Sequence, residues 1–260
     1  MNEDEKQPFT AHLDELRKRL IVCFAAVGVG FGVCYFFKFE LFKILVAPLQ
    51  TAMNDGGGTL VYTHITEAFL TYLKTALIGG LMLASPIIIY QFWMFIAPGL
   101  YDREKRMLVP ILFLSVVFFV GGALFGYFMV FPIGFPFLLN FAPPEIRAML
   151  SMKIYLGFAS KMLLAFGLIF ELPLVITFLA RLGIVSVDFL KKNRKYAILL
   201  FFVIGAILTP PDVLTQFMMA MPLIALYEIS IIGARIFGKK RDALEETEDS
   251  SIDETRSDAG

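Results

Sequence analysis

Residues 107–131 read MLVPILFLSVVFFVGGALFGYFMVF and contain no charged side chain. About 20 apolar residues suffice to cross the hydrocarbon core of a bilayer. A second run, IYLGFASKMLLAFGLIFELPLVITFLA at 154–180, is interrupted only by Lys161 and Glu171. Between and around these runs the composition stays apolar. Of 260 residues 58% are hydrophobic and 18% charged, and 28 are Phe. That leaves too little polar surface to cover a soluble globule of this size. The fold class is therefore all-α, a polytopic membrane protein.

Six spans are expected, at about 20–37, 68–96, 107–131, 154–180, 195–209 and 213–234. The fifth, KYAILLFFVIGAILT, is too short for a full bilayer, at about 22 Å for its length. Pro210 and Pro211 stop it by removing two backbone donors, and Asp212 is a good N-cap for the sixth. Two short final helices in a tight hairpin should thin the bilayer or recruit neighbours. Most of the 23 Lys and Arg fall in the N-terminal segment, the 97–107 and 181–195 loops, and the segment after 234. These alternate as an even number of spans with both termini in the cytoplasm requires. The chain divides into an amphipathic cytoplasmic segment 1–19, a transmembrane domain 20–238 and an acidic tail 239–260 whose composition predicts disorder.

Two segments on the outer side have their own character. KFELFKILVAPLQ at 38–50 reads as a short amphipathic helix ending at Pro48, followed by a glycine turn at 56–58 and an extended run. Residues 131–152, rich in Phe and Pro, read as a structured cap. The start, MNEDEKQPFT, is neither a basic leader nor an Arg- and Ser-rich transit peptide, which favours a bacterial membrane protein made where it works. Cys23 and Cys34 lie about 16 Å apart along one helix and cannot bridge.

No catalytic constellation is visible. His12 and His64 fall on opposite sides of the membrane and neither sits in a cluster of metal-ligand spacing. No cofactor, metal, enzymatic activity or nucleic-acid partner is expected. The polar groups that stand out are carboxylates. Glu171 lies inside the fourth span, where an ionisable group is a functional candidate by default. It is free to face a wet cavity, accept a hydrogen bond or be protonated, and Pro173 nearby bends the helix. Glu15, in HLDELRKRL, and Glu104, in LYDREKR, are set among basic residues. The plain reading is a surface ion pair, such as Glu15 with Arg19 at i,i+4 spacing, which contributes little. The sharper reading is that both carboxylates converge on a cationic ligand, with arginine favoured by its bidentate fork.

Four motifs together resemble the TatC family, the large polytopic subunit of the twin-arginine protein translocase. They are HLDELRKRL at 12–20, YQFWMFIAPGLYDREKR at 90–106, AFGLIFELP at 165–173 and ILTPPDVLTQ at 207–216. The resemblance runs from about residue 9 to 238. It implies a cupped, concave six-helix bundle that recognises signal peptides bearing paired arginines. With the single-span proteins TatA and TatB, it would export folded proteins using the proton-motive force. Glu15 and Glu104 match the family's acidic residues for the arginine pair, Leu16, Arg17 and Arg19 its N-terminal motif, and Phe95 its cytoplasmic patch. Pro48 matches a first-loop position needed for transport and Glu171 the intramembrane polar position. Thr209 and Gln216 match the polar cluster where TatB or TatA docks. Self-association within the bilayer is also implied. The rival readings are a proton-coupled small-solute transporter using Glu171 and a passive membrane scaffold.

Overall fold

The structure is a computed structural model that describes residues 9–56, 59–62, 64–96, 108–140, 149–208 and 213–238. It forms two compact units, Met1–Phe170 and Glu171–Gly260. In lipid every backbone polar group needs an internal partner, so the apolar runs become helices. Among the described residues, five helical stretches are long and apolar enough to cross a membrane. These are His12–Phe36, Ile65–Ile96, Val109–Leu139, Met152–Arg181 and Thr215–Phe237. The expected fifth span is a helix of 15 residues, Arg194–Leu208.

The first unit contains helices α1 (Phe9–Phe36), α2 (Lys38–Gly56) and α3 (Ile65–Ile96). Next come α4 (Leu108–Phe125), a π-helical turn (Gly126–Val130), α5 (Phe131–Leu139) and α6 (Met152–Phe170). α1 runs unbroken through residues 19 and 20. It packs antiparallel on α3, where the two backbones meet at Gly30 and Gly80. A Cβ on Gly80 would lie 2.5 Å from the Phe31 nitrogen, and one on Gly30 would lie 2.6 Å from the Gly80 oxygen. Such small residues are what let membrane helices approach this closely. α4 and α6 meet in the same way, since a Cβ on Gly122 would overlap the Phe166 backbone oxygen. Trp93 of α3 donates to the Ser115 hydroxyl of α4 at 2.8 Å, with both side chains buried.

Two three-residue strands, β1 (Thr59–Val61) and β2 (Met149–Ser151), pair in parallel with Thr59 opposite Met149. Each leads into a helix, so α3 and α6 start in step. Glu67, in the first turn of α3 and only 3% exposed, ties that start together. Its Oε1 accepts from the Ser151 hydroxyl and, at 3.1 Å, from the Lys153 backbone N–H. A carboxylate at a helix N-terminus answers both an orphan donor and the helix dipole.

α2 does not end at Pro48; it continues eight residues further, to Gly56. Proline has no N–H, so the carbonyl of Ile44, four residues back, loses its intrahelical donor. The Tyr127 hydroxyl, from the π-helical turn, donates to that oxygen at 2.7 Å. The Tyr155 hydroxyl of α6 donates to the next carbonyl, Leu45, at 2.5 Å. Tyr127 thus supplies the donor that the proline removes, and Tyr155 adds a second bond on the neighbouring carbonyl. Within α3, Pro86 frees the Met82 carbonyl, and the Ser85 hydroxyl donates to it at 2.7 Å.

The second unit contains α7 (Leu172–Arg181), α8 (Val187–Lys192), α9 (Arg194–Leu208) and α10 (Val213–Phe237). α8 is capped by Ser186, whose hydroxyl accepts from the Phe189 N–H at 3.1 Å. α9 packs on α10, and α7 on α10 at Gly233, where a Cβ would overlap the Thr177 hydroxyl. Tyr227 of α10 reaches across to donate to the Leu190 carbonyl at the end of α8, at 2.9 Å.

Candidate functional site

The N-terminal end of α1 and the C-terminal end of α3 bring five side chains together, three from α1 and two from α3. Glu15 and Arg19 stand one turn apart on the α1 face that meets α3. Arg19 Nε donates to Glu15 Oε1 at 3.1 Å, and Arg19 Nη2 donates to the same oxygen. The remaining arm of the fork, Nη1, donates to Gln91 Oε1 of α3 at 3.3 Å. Below this pair the His12 ring stacks on Phe95, with centroids 4.4 Å apart and planes 18° from parallel. His12 Nδ1 stands 3.9 Å from the other carboxylate oxygen, Glu15 Oε2.

This is more than the surface ion pair that i,i+4 spacing alone provides. Glu15 and Arg19 are 25% and 19% exposed, so both charges are partly desolvated. Partial burial strengthens a charge-assisted hydrogen bond beyond its value in water. Two donors of one guanidinium converge on Oε1, while Oε2 keeps lone pairs for another donor. The arrangement is thus a carboxylate that already holds a guanidinium and has capacity for a second. The stacked His12–Phe95 pair adds a flat aromatic wall beside it, a surface on which a guanidinium can also lie.

Of the other residues singled out from sequence, Leu16 and Arg17 are exposed on α1. Glu104 lies outside the described residues, as do Thr209, Pro210, Pro211 and Asp212. Pro48 belongs to the tyrosine clasp at the other end of the first unit. Glu171 is a half-buried turn residue directly before α7, and its backbone carbonyl accepts from the N–H groups of Leu174 and Val175, each at 3.0 Å. Pro173 explains the turn locally, since it cannot donate to the preceding helical turn. Gln216 of α10 donates through Nε2 to the Phe202 carbonyl of α9 at 2.9 Å. A Cβ on Gly205 would lie 3.4 Å from Gln216 Cγ, so glycine makes room for this side chain.

Sequence reasoning missed His12 and Gln91. Both sit one helical turn from a residue it did find, His12 from Glu15 and Gln91 from Phe95, and that spacing was the available signal. It also missed Glu67, Tyr127 and Tyr155, whose partners lie 83 to 110 residues away in sequence.

Comparison with known proteins converges on one family. Its profile, described as Sec-independent protein translocase protein (TatC), matches residues 11–222. The chain belongs to the TatC family. It is 62% identical to the TatC protein of Desulforapulum autotrophicum over 244 residues, covering 94% of this chain and 90% of that one. It is 40% identical to that of Escherichia coli K12 over 243 residues, covering 93% and 94%. A crystal structure of the twin-arginine translocase receptor TatC superposes with a TM-score of 0.78 at 42% identity. The match covers 86% of this chain and 98% of that one. This is a multi-pass membrane protein of a transport family, with the all-α fold of TatC. The Glu15–Arg19–Gln91 cluster and the Pro48 clasp both fall within the matched residues.

Proposed function

We propose that the chain is the receptor and core subunit of a twin-arginine translocase in a bacterial cytoplasmic membrane, with both termini in the cytoplasm. It binds the paired arginines of signal peptides at Glu15 and Glu104. With TatA and TatB it carries folded cargo outward on the proton-motive force. Thr209 and Gln216 mark the docking region for the single-span partners, and copies of the chain associate within the working complex. Glu171 is the intramembrane polar group of the same pathway.

The observation that carries this reading is the guanidinium already seated on Glu15. Arg19 displays in cis the contact that a peptide arginine makes in trans. An incoming arginine takes Oε2 first and then competes with Arg19 for Oε1. Gln91 receives whichever N–H the displaced fork leaves unpaired. Lysine does worse, because a point charge cannot bridge carboxylate and amide as a planar fork does. A cytoplasmic rim rich in Lys and Arg repels cationic peptides in general, so local carboxylates select geometry over net charge.

The test is binding of a fluorescent twin-arginine signal peptide to the purified protein in detergent. A twin-lysine peptide and the Glu15→Ala and Glu104→Ala variants complete the set. Affinity lost on each change supports the receptor reading, and equal binding throughout sinks it.

A further inference from the structure

Directly beyond the Glu15 site, α1 and α3 enclose an open groove of about 350 Å³. Its walls are Val22, Ala25, Ala26 and Val29 of α1 with Ala84 and Ile87 of α3. We propose that this groove seats the apolar stretch that follows the arginine pair of a signal peptide. The proposal rests on the receptor reading above and adds where the rest of the peptide lies.

Three observations carry it. The first is continuity. Glu15, Arg19, Val22, Ala26 and Val29 follow one another at spacings of three and four residues and so share one helix face. Gln91, Ile87 and Ala84 do the same on α3. The groove opens one turn past Arg19, so a ligand anchored at Glu15 enters it without leaving that face. The second is shape. Ala25, Ala26, Gly30 and Ala84 make a shallow floor of small side chains, the surface against which a helix backbone packs closely in lipid. From Val22 to Gly30 the groove extends about 12 Å, or eight residues of helix, within the 7–15 residues of a signal peptide's apolar region. The third is that, among the described residues lining the groove, several stand exposed. Val29 is 71% exposed and Leu83, at its edge, 56%. A lipid tail would fill only the apolar part of this continuous surface and brings no guanidinium to the Glu15 carboxylate at its mouth. A peptide with arginines ahead of its apolar stretch matches both parts.

The test fills the groove without touching the site. Ala25→Trp and Val29→Trp change exposed positions that line it, and Phe24→Trp changes an exposed position on α1 that does not. Affinity is measured for a full signal peptide and for a short peptide that keeps the arginines and lacks the apolar stretch. The expected result is at least a tenfold loss for the full peptide with Ala25→Trp and Val29→Trp, with the short peptide and the Phe24→Trp protein unaffected. A benzophenone placed in the middle of the apolar stretch should attach within residues 22–30 or 83–87 of the wild-type protein. Unchanged affinity in both groove variants, or attachment confined to other segments, overturns the groove. Failure of the wild type to bind either peptide, or binding indifferent to Glu15→Ala, overturns the receptor reading, and the groove assignment falls with it.

Discussion

The tyrosine that serves Pro48 allows a test with a sign as well as a size. Pro48 leaves the Ile44 carbonyl without its helical donor, and the Tyr127 hydroxyl replaces that donor at 2.7 Å. Tyr127→Phe removes the hydroxyl and keeps the ring. A hydrogen bond of this kind contributes about 1 kcal/mol net, and a stranded carbonyl costs about 1–3 kcal/mol when water cannot reach it. Ile44 is an exposed residue, so the lower figure applies, about 1 kcal/mol. Pro48→Ala restores an N–H four residues after Ile44, and the helix can then satisfy its own carbonyl. In that background Tyr127→Phe should cost close to nothing. The two substitutions are therefore coupled by about 1 kcal/mol, whatever Pro48→Ala does alone. The assay is unfolding by SDS titration in mixed micelles, on wild type, both single variants and the double. Independent sites add to within about 0.5 kcal/mol, so additivity at that level refutes the account of how α2 continues past its proline.

Three more outcomes follow from particular contacts. Arg19→Gln removes the resident competitor on Glu15, so a twin-arginine peptide should bind about fivefold tighter in the same detergent assay, the equivalent of about 1 kcal/mol for a partly buried charged hydrogen bond; weaker binding would make Arg19 a support for Glu15 instead. Glu67→Gln keeps the size of the buried side chain but loses its charge at the start of α6, and should lower stability in SDS titration by about 1–2 kcal/mol, while Glu40→Gln, in the exposed first turn of α2, should cost only about 0.3–1 kcal/mol. Gly80→Ala places a methyl 2.5 Å from the Phe31 nitrogen and should cost about 1–3 kcal/mol by forcing the backbones apart, whereas Gly28→Ala and Gly32→Ala meet nothing within 4 Å and should be neutral or better.

The limits of the sequence reading follow the separation of partners along the chain. Spans were legible because a bilayer imposes one length and one chemistry on about 20 consecutive residues. The short helix Arg194–Leu208 was legible from its apolar chemistry and from the prolines that follow it in sequence, not from its length. Glu15 with Arg19 was legible as a helical pair, but the pair alone looked like any surface contact. What distinguishes it is Gln91, which is 72 residues away. Pro48 was misread as a helix stop because a lone proline removes a donor, and nothing near it in sequence announces the hydroxyls that compensate. Glu67 was passed over as a residue at a span's edge, since only the β1–β2 register brings Ser151 and Lys153 to it. The π-helical turn that aims Tyr127 carries no local signature of its own.

The glycine crossing and the Glu15 cluster belong to one device. α1 and α3 run in opposite directions and touch backbone to backbone at Gly30 and Gly80. Arg19 lies eleven residues before Gly30, and Gln91 eleven residues after Gly80. Each is therefore about 16 Å from the crossing along its own helix. Equal offsets from a shared contact put the two side chains at one level, which is why the guanidinium can reach the amide at all. Sliding either helix by one residue would shift that level by about 1.5 Å, enough to break a 3.3 Å hydrogen bond. The glycine pair resists that slide because each backbone fits the gap left by the other's missing Cβ. The Glu15 end of the helix pair is thus held in register by a contact deeper along the same two helices, and side chains of ordinary flexibility at its surface meet with the precision that a fork and a carboxylate require.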